Sequence, residues 1–341
     1  MAGPDPAVAA LRAAVRPGLT PGAGPVLAAC SGGADSVALA AALAFEARRA
    51  GRPVGGVTVD HGLQPGSAEQ AGRTADLLRS LGLFPVLVLP VDVGAAGGPE
   101  GAARAARTAA LTGAAAEHGA TIALGHTLDD QAETVLLGLA RGSGPRSVAG
   151  MVEHRPPFWR PLLGVRRATT RAACAAQRLP VWDDPWNVDP AYPRVRLRTE
   201  VLPLLEEVLG GGVTGALGRT AAMVREDLDT LDALADAELT ALAGPDGDLP
   251  AAALAELPPA LRRRVLRGWL RGAGVPDLQG VHLSAVDALV TRWRGQGRAD
   301  LPGGTGVRRA SGRLTVQPGG SSGRGTGPRP AAPDAVPPEE P

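Results

Sequence analysis

The chain has 341 residues, 44% hydrophobic and only 3% aromatic, so it is long enough for two domains whose cores must be mostly Leu, Val and Ala. All 35 basic residues are arginine, set against 34 acids for a net charge of +1; mechanisms that need a lysine side chain are excluded, and the overall charge gives no sign of a polyanion binder. Cys30 and Cys174 form no CxxC pair, which excludes a zinc ribbon or disulfide framework, and the lack of a signal-peptide pattern or a membrane-length apolar run implies a reduced, cytoplasmic protein with no membrane partner.

The predicted elements begin with a short helix over residues 6–16, closed by Pro17 and Gly18. Strands are expected at Val26–Cys30, Val54–Val59, Phe84–Leu89 and Thr121–Leu124. Helices are expected at Val37–Ala50, Ala68–Leu81, Pro99–Gly119 and Leu128–Ala140. Alternation with short connections predicts right-handed βαβ units, hence an α/β fold with a parallel, doubly wound sheet. Residues 143–165 read as loop, Arg166–Arg178 as helix, Leu179–Pro193 as irregular and Arg194–Val208 as helix. Gly210–Gly212 is the expected boundary, giving a catalytic domain over 1–209 and a mainly helical domain over 210–316. In the latter, residues 213–243, 251–272 and 280–294 have helical periodicity, and Arg298–Val316 reads as a hairpin turning at Ser311-Gly312. Residues 317–341, rich in Gly, Ser and Pro and then acidic, read as a disordered tail.

Charge is uneven along this order. Residues 141–200 carry eleven arginines against five acids, 205–250 two against ten, and 261–313 eleven against three. Each block is either a solvated helix face or, for the two basic ones, a footprint for a polyanion.

The most informative stretch is Ser31-Gly32-Gly33-Ala34-Asp35-Ser36, between the first strand and its helix. Glycines there permit positive φ and close ligand approach, and the helix N-terminus supplies N–H donors, a combination suited to phosphate. Asp35 and Ser36 could alternatively only cap the helix. Walker A is excluded by the missing lysine, and the GxGxxG spacing is absent. SGGxDS resembles the loop of the N-type ATP pyrophosphatases (PP-loop enzymes), which cleave ATP between the α and β phosphates. The resemblance implies that residues 31–36 hold pyrophosphate.

Further stretches narrow the resemblance. VDHGLQ (Val59–Gln64), GHTLDDQAET (Gly125–Thr134), RGSG (Arg141–Gly144), Gly150-Met151, RPLL (Arg160–Leu163), WDDPWN (Trp182–Asn187) and YPRVRLR (Tyr192–Arg198) occur in one order. That order resembles the tRNA(Ile)-lysidine synthetase family over residues 24–204. The chain departs from the family pattern at Gln64, Thr108, Trp186 and Val195, where arginine, an aromatic, a small hydroxyl residue and asparagine are usual. The resemblance implies an ATP-dependent ligase acting on tRNA(Ile) with a CAU anticodon. ATP would adenylate the C2 oxygen of the wobble cytidine, free L-lysine would attack C2 through its ε-amine, and the product lysidine would pair with A instead of G. Mg²⁺ is the implied metal and ATP the nucleotide, and a homodimer is compatible with the sequence.

Asp35 is the expected partner of Mg²⁺ or its waters. Asp60, at a strand end, could orient ATP or be satisfied by its own loop. His126, Asp129, Asp130 and Glu133 cluster at a strand-to-helix turn, with Asp130 and Glu133 on one helical face. They read as first-turn capping acids, with Thr127 as N-cap, as a metal site, against which the single histidine argues, or as the group that receives lysine and helps remove its ε-proton. Arg141 either caps a helix C-terminus or contacts phosphate. Arg194, Arg196 and Arg198 are expected to contact the tRNA backbone. Rival readings are a tRNA-thiolating enzyme of the same superfamily, such as a cytidine thiolase, a small-molecule amidating ligase, and a non-catalytic nucleotide-binding module. The missing CxxC argues against the first, the basic C-terminal blocks against the second, and the acid cluster against the third.

Overall fold

The computed structural model describes residues 3–20, 22–94, 98–142 and 144–318; the expected disordered tail, from residue 319 on, lies outside the described residues. In chain order the first unit contains α1 (Pro6–Val15), β1 (Val26–Ala29), α2 (Ala34–Ala50), β2 (Val54–Asp60), α3 (Ser67–Ser80), β3 (Val86–Pro90), α4 (Gly98–His118), β4 (Thr121–Leu124) and α5 (Leu128–Ala140). There follow α6 (Pro145–Val148), β5 (His154–Arg155), β6 (Phe158–Trp159), α7 (Arg167–Ala176) and α8 (Pro193–Val208), the last with a π-helical turn at Leu197–Val201.

The sheet order is β3-β2-β1-β4-β6-β5, parallel except for the β5–β6 pair. Val26–Ala29 pairs in register with Val54–Val57 on one side and Thr121–Leu124 on the other. Helices cover both faces, as a buried parallel sheet requires. On one face, Leu11 and Val15 of α1, Val37, Leu39 and Leu43 of α2 and Ala173 and Cys174 of α7 form a core with β1. On the other, Leu111, Ala114 and Ala115 of α4 pack on Leu27, Val57 and Ile122. Alanine fills α2 because the helix is enclosed almost all round, and a methyl group lets neighbouring backbones approach.

Two differences from the sequence reading concern the sheet. Residues 143–165, read as loop, contain the two short strands β5 and β6, which turn at Pro156-Pro157 and extend the sheet beside β4. Two-residue strands carry no periodicity, and the burial of Trp159 to 2% exposure identifies the pair. The third strand starts at Val86, two residues later than expected.

Compactness divides the chain after Glu226, within α9 (Val213–Leu242), and not at Gly210–Gly212. The glycine triplet, at φ +78° to +89°, is the turn between α8 and α9, where Glu206 accepts from the N–H groups of Val213 and Thr214, both at 2.9 Å. The second unit continues with β7 (Leu249–Pro250), α10 (Ala251–Glu256), α11 (Pro259–Gly272), α12 (Gly280–Thr291), β8 (Ala299–Asp300), β9 (Gly306–Ala310) and β10 (Arg313–Gln317). The Pro258-Pro259 pair splits the helix expected over 251–272, since proline cannot continue a helix. The expected hairpin is β9–β10, with Ser311 (φ 49°) and Gly312 (φ 78°) at its turn, and β7 and β8 widen it to a four-stranded antiparallel sheet. Gln317, expected in the tail, ends β10. Leu249, Leu254, Leu266, Leu270, Val286 and Leu314 form this unit's core. Among the described residues no single helix is long and apolar enough to cross a membrane.

Candidate active site

The order β3-β2-β1-β4 means that the chain leaves β1 toward one edge of the sheet and arrives at β4 on β1's other side. Loops that follow β1 and β4 therefore diverge, and such a switch point opens a crevice at the carboxyl ends of the strands. Both main sequence motifs lie there.

The first is the loop 31–36. Gly32 has φ +90°, a left-handed backbone that favours glycine, and a Cβ on it would press on Gln70 Nε2 at 2.8 Å and Thr74 Oγ1 at 3.0 Å. The Ser36 hydroxyl donates to Gly33 O (2.9 Å) and accepts from Ser31 N–H (3.1 Å), shaping the loop from inside. Ala34 opens α2 after Gly33, with no side-chain cap. The first N–H groups of that helix have no intrahelical partner and point out of its positive end. Gly125, after β4, lies against the same turn: a Cβ there would stand 3.0 Å from Asp35 C and O.

The second motif opens α5. Thr127 is its N-cap, and Asp130 accepts from Thr127 N–H (2.7 Å) and hydroxyl (2.8 Å) in a capping box. Asp130 thus serves as a cap through one oxygen, while the other accepts from a guanidinium of α7. The sequence reading has no role for the residue that joins the two motifs, Arg167 at the start of α7. Its Nε donates to Asp35 Oδ2 (3.2 Å), its Nη2 to Asp130 Oδ1 (2.5 Å) and its Nη1 to Glu133 Oε1 (3.4 Å). Thr170, one turn on, donates its hydroxyl to Asp35 Oδ1. Arg198 donates to Glu133 through Nε (2.8 Å) and Nη2 (3.3 Å). Arg198 was expected on the tRNA backbone but here is bound to a fully buried carboxylate. Asp129 lies beside the cluster and accepts from Arg166 Nε (3.3 Å) and Arg167 N–H (2.8 Å).

Burial raises the Asp35 carboxyl pKa, and Thr170 and Arg167 only partly offset this. Burial also opposes the charge on Asp130, but Arg167 and the Thr127 donors outweigh it and lower its pKa. The Arg167 pKa rises despite burial because Asp130, Asp35 and Glu133 surround it. Three carboxylates around two guanidiniums leave one negative charge in excess, so the cluster can accept one more cation.

His126, from the same loop, is pushed down to about 4, first by burial and then by Arg107, Arg160 and Arg104, against Asp130. It is a neutral imidazole near pH 7, and its Nδ1 is buried without a hydrogen-bond partner among the described residues, as is His61 Nδ1. Asp60, at the end of β2, accepts from Gly62 N–H (3.0 Å) in its own loop. Arg141 caps the far end of α5, about 12 Å along the helix from Glu133 at 1.5 Å per residue. The structure therefore brings together Ser31–Ser36, His126, Asp130 and Glu133, and places Arg141 apart from the acid cluster.

Where Mg²⁺ is concerned, the donor set next to the loop is a single half-buried carboxylate, Asp35, and among the described residues no group of three or more His, Cys, Asp or Glu side chains is placed to hold a metal ion. Such a site suits Mg²⁺ held chiefly by nucleotide phosphates and waters.

Residues 9–205 match the family described as PP-loop domain, and residues 249–315 match the TilS substrate binding domain. The tRNA(Ile)-lysidine synthase of Streptomyces coelicolor is 53% identical, covering 93% of this chain and 100% of its own. That of Salinispora arenicola is 56% identical, covering 93% and 98%. Among solved structures, the U34-tRNA thiolase NcsA from Methanococcus maripaludis shares the fold, with a TM-score of 0.55 at 16% identity over 64% of this chain and 80% of its own. PP-loop proteins use ATP, and the likeness to whole synthases runs through both units: the chain belongs to the tRNA(Ile)-lysidine synthase family.

Proposed function

We propose that the protein joins free L-lysine to C2 of the wobble cytidine of tRNA(Ile) with a CAU anticodon, in two steps at the crevice between β1 and β4. In the first, the C2 oxygen of the base attacks the α-phosphate of ATP. The O–P bond forms, the bond to the β-phosphate breaks, and pyrophosphate leaves into the loop 31–36. Fixed N–H donors are already aimed at the charge that develops there. Bound at Asp35, Mg²⁺ would supply further neutralisation of the phosphates.

In the second step the lysine ε-amine attacks C2 and AMP leaves with the oxygen. An amine of pKa about 10.4 is almost wholly protonated at pH 7, so the site must bind an ammonium and remove its proton. The one excess negative charge of the Asp35–Asp130–Glu133 cluster fits the first need, and Asp130, kept ionised by Arg167 and the Thr127 donors, is the carboxylate that takes up the proton as the amine attacks. The neutral His126 imidazole offers a hydrogen bond to the substrate without adding charge. Arg104 and Arg107, on α4, add positive charge beside His126.

The observation that carries this reading is Arg167, which ties the phosphate-loop carboxylate to the two α5 carboxylates, so one rigid group serves both half-reactions. Sulfur transfer lacks such support, because both cysteines are buried and burial raises their thiol pKa, that of Cys174 to about 11. The test is pyrophosphate release from ATP with a CAU-anticodon transcript and no lysine. Release with this RNA and none with a UAU-anticodon transcript supports the reading; release without RNA overturns it.

A further inference from the structure

Three exposed aromatic rings of the first unit lie in different places. Phe84 precedes β3, at the amino end of the strands, and the ring of Phe45, near the C-terminus of α2, is covered by Arg12 at 3.3 Å. Trp186, 38% exposed, belongs to the segment between α7 and α8 that meets the loops at the carboxyl ends of the strands. Its segment is fixed to the catalytic loops at two points. Trp182 N–H donates to Gly32 O (2.9 Å), and Asp184 Oδ1 accepts both from Gln64 Nε2 (3.4 Å), on the loop after β2, and from Trp186 N–H (3.0 Å). The half-buried Tyr192 backs the indole, with ring centroids 6.3 Å apart and planes 30° from parallel. Arg194 follows two residues later; its carbonyl accepts from Leu197 N–H, but its guanidinium makes no hydrogen bond or ion pair with a described residue, whereas that of Arg196 is held by Glu200 (2.9 Å).

We propose that Trp186, supported by Tyr192 and flanked by Arg194, is a stacking platform for an unpaired nucleobase of the anticodon loop, next to the target cytidine. This rests on the function proposed above. A wobble base can reach the α-phosphate over the loop 31–36 only if it leaves its stack, which strands its neighbour as well. Proteins that hold single-stranded RNA offer splayed bases an aromatic face and their phosphates a free guanidinium. A rigid indole at the rim of the crevice beside an unpaired arginine provides both. An indole serving only to order its own loop would be expected to bury both faces.

The test measures KM for tRNA and for ATP in tRNA-dependent pyrophosphate release, for wild type, Trp186→Ala and Trp186→Phe. The expected result is a rise of about tenfold or more in KM for tRNA with Trp186→Ala, the value of one stacked base. KM for ATP should stay within twofold, and Trp186→Phe should recover most of the loss. A transcript lacking the base on one side of the target cytidine should bind wild type as weakly as intact tRNA binds Trp186→Ala, and the two changes together should cost no more than either alone. An unchanged KM for tRNA, an equal rise in KM for ATP, or additive losses with abasic transcripts on both sides would overturn the platform. Failure of wild type to release pyrophosphate with any tRNA would overturn the function itself.

Discussion

Replacing Arg167 with methionine removes a guanidinium that is 17% exposed and leaves its aliphatic volume. Asp35, Asp130 and Glu133 would lose bonds of 3.2, 2.5 and 3.4 Å, and Arg198, 2.8 Å from Glu133 and 3.7 Å from Asp130, would be the remaining cation in contact. Three bonds do not cost three full increments, because the carboxylates can take up protons. Breaking a buried pair by removing one partner costs about 3–5 kcal/mol, which at roughly 2–4 °C per kcal/mol lowers Tm by about 6–20 °C. The loss must depend on pH. In the wild type the pKa of Asp130 is below its unfolded value, so its contribution is present above the unfolded pKa, near 3.9, and is lost as pH falls through the folded pKa. Asp35 has the opposite sign: its raised pKa means that ionisation costs stability above the unfolded pKa. Removing Arg167 takes away a charge that lowers the pKa of both Asp35 and Asp130, so the variant should be weakest near pH 8 and should approach wild type near pH 4–5. Arg167→Lys should recover part of the loss, since an ammonium keeps the charge but lacks the three-way fork. Thermal denaturation of the three proteins from pH 4.5 to 8 checks this. A deficit of equal size at both ends would mean that Arg167 contributes packing alone, and the joined-site argument would fail.

Asp35→Asn should abolish pyrophosphate release while far-ultraviolet circular dichroism stays unchanged, because Thr170 can still bond the amide oxygen; normal release would remove Asp35 from the first step. Asp130→Asn should spare pyrophosphate release and slow lysine transfer by about ten- to a hundredfold, from one lost charged hydrogen bond of roughly 1.5–3 kcal/mol, as read in single-turnover assays. The imidazole of His126 should titrate near 4 by NMR; its contribution to stability is complete above the unfolded value near 6.5 and is lost as pH falls toward 4. In the second unit, Arg262→Ala should lower stability by about 3–5 kcal/mol, because the buried Asp287 would lose its partner at 2.7 Å and keep only the exposed Arg263 at 3.9 Å. Arg263→Ala, at an exposed side chain, should leave stability intact and reduce the salt slope of tRNA binding by about one if it meets a phosphate, as measured by titration at several salt concentrations.

The legible parts of this structure are those whose signals are local. Gly32-Gly33 between an apolar run and an Ala-rich helix implied a strand, a tight turn and a helix start within ten residues, and the loop has that form. The bounds Leu128–Ala140 agree between sequence and structure; Thr127 as N-cap, with acids in the first turn, marks the start, and the glycine after Arg141 marks the end. What stayed hidden depends on distant pairing. Arg167 opens an ordinary helix, and its partners Asp35 and Asp130 lie 132 and 37 residues earlier. Arg262 looks like one of three equivalent basic residues, but its burial against Asp287 is fixed by the packing of α11 on α12. The division after Glu226 falls inside an uninterrupted helix, where no glycine or proline marks it.

The central claim is that one crevice carries both adenylation and lysine transfer. The most direct measurement is incubation of the protein with ATP, labelled L-lysine and CAU-anticodon tRNA(Ile), followed by nuclease digestion and mass analysis of the wobble nucleoside. The account predicts label confined to that nucleoside, with its mass increased by one lysine residue, and AMP and pyrophosphate formed in equal amounts. ATP cleavage with no lysine in the RNA, or lysine at any other position, would contradict it.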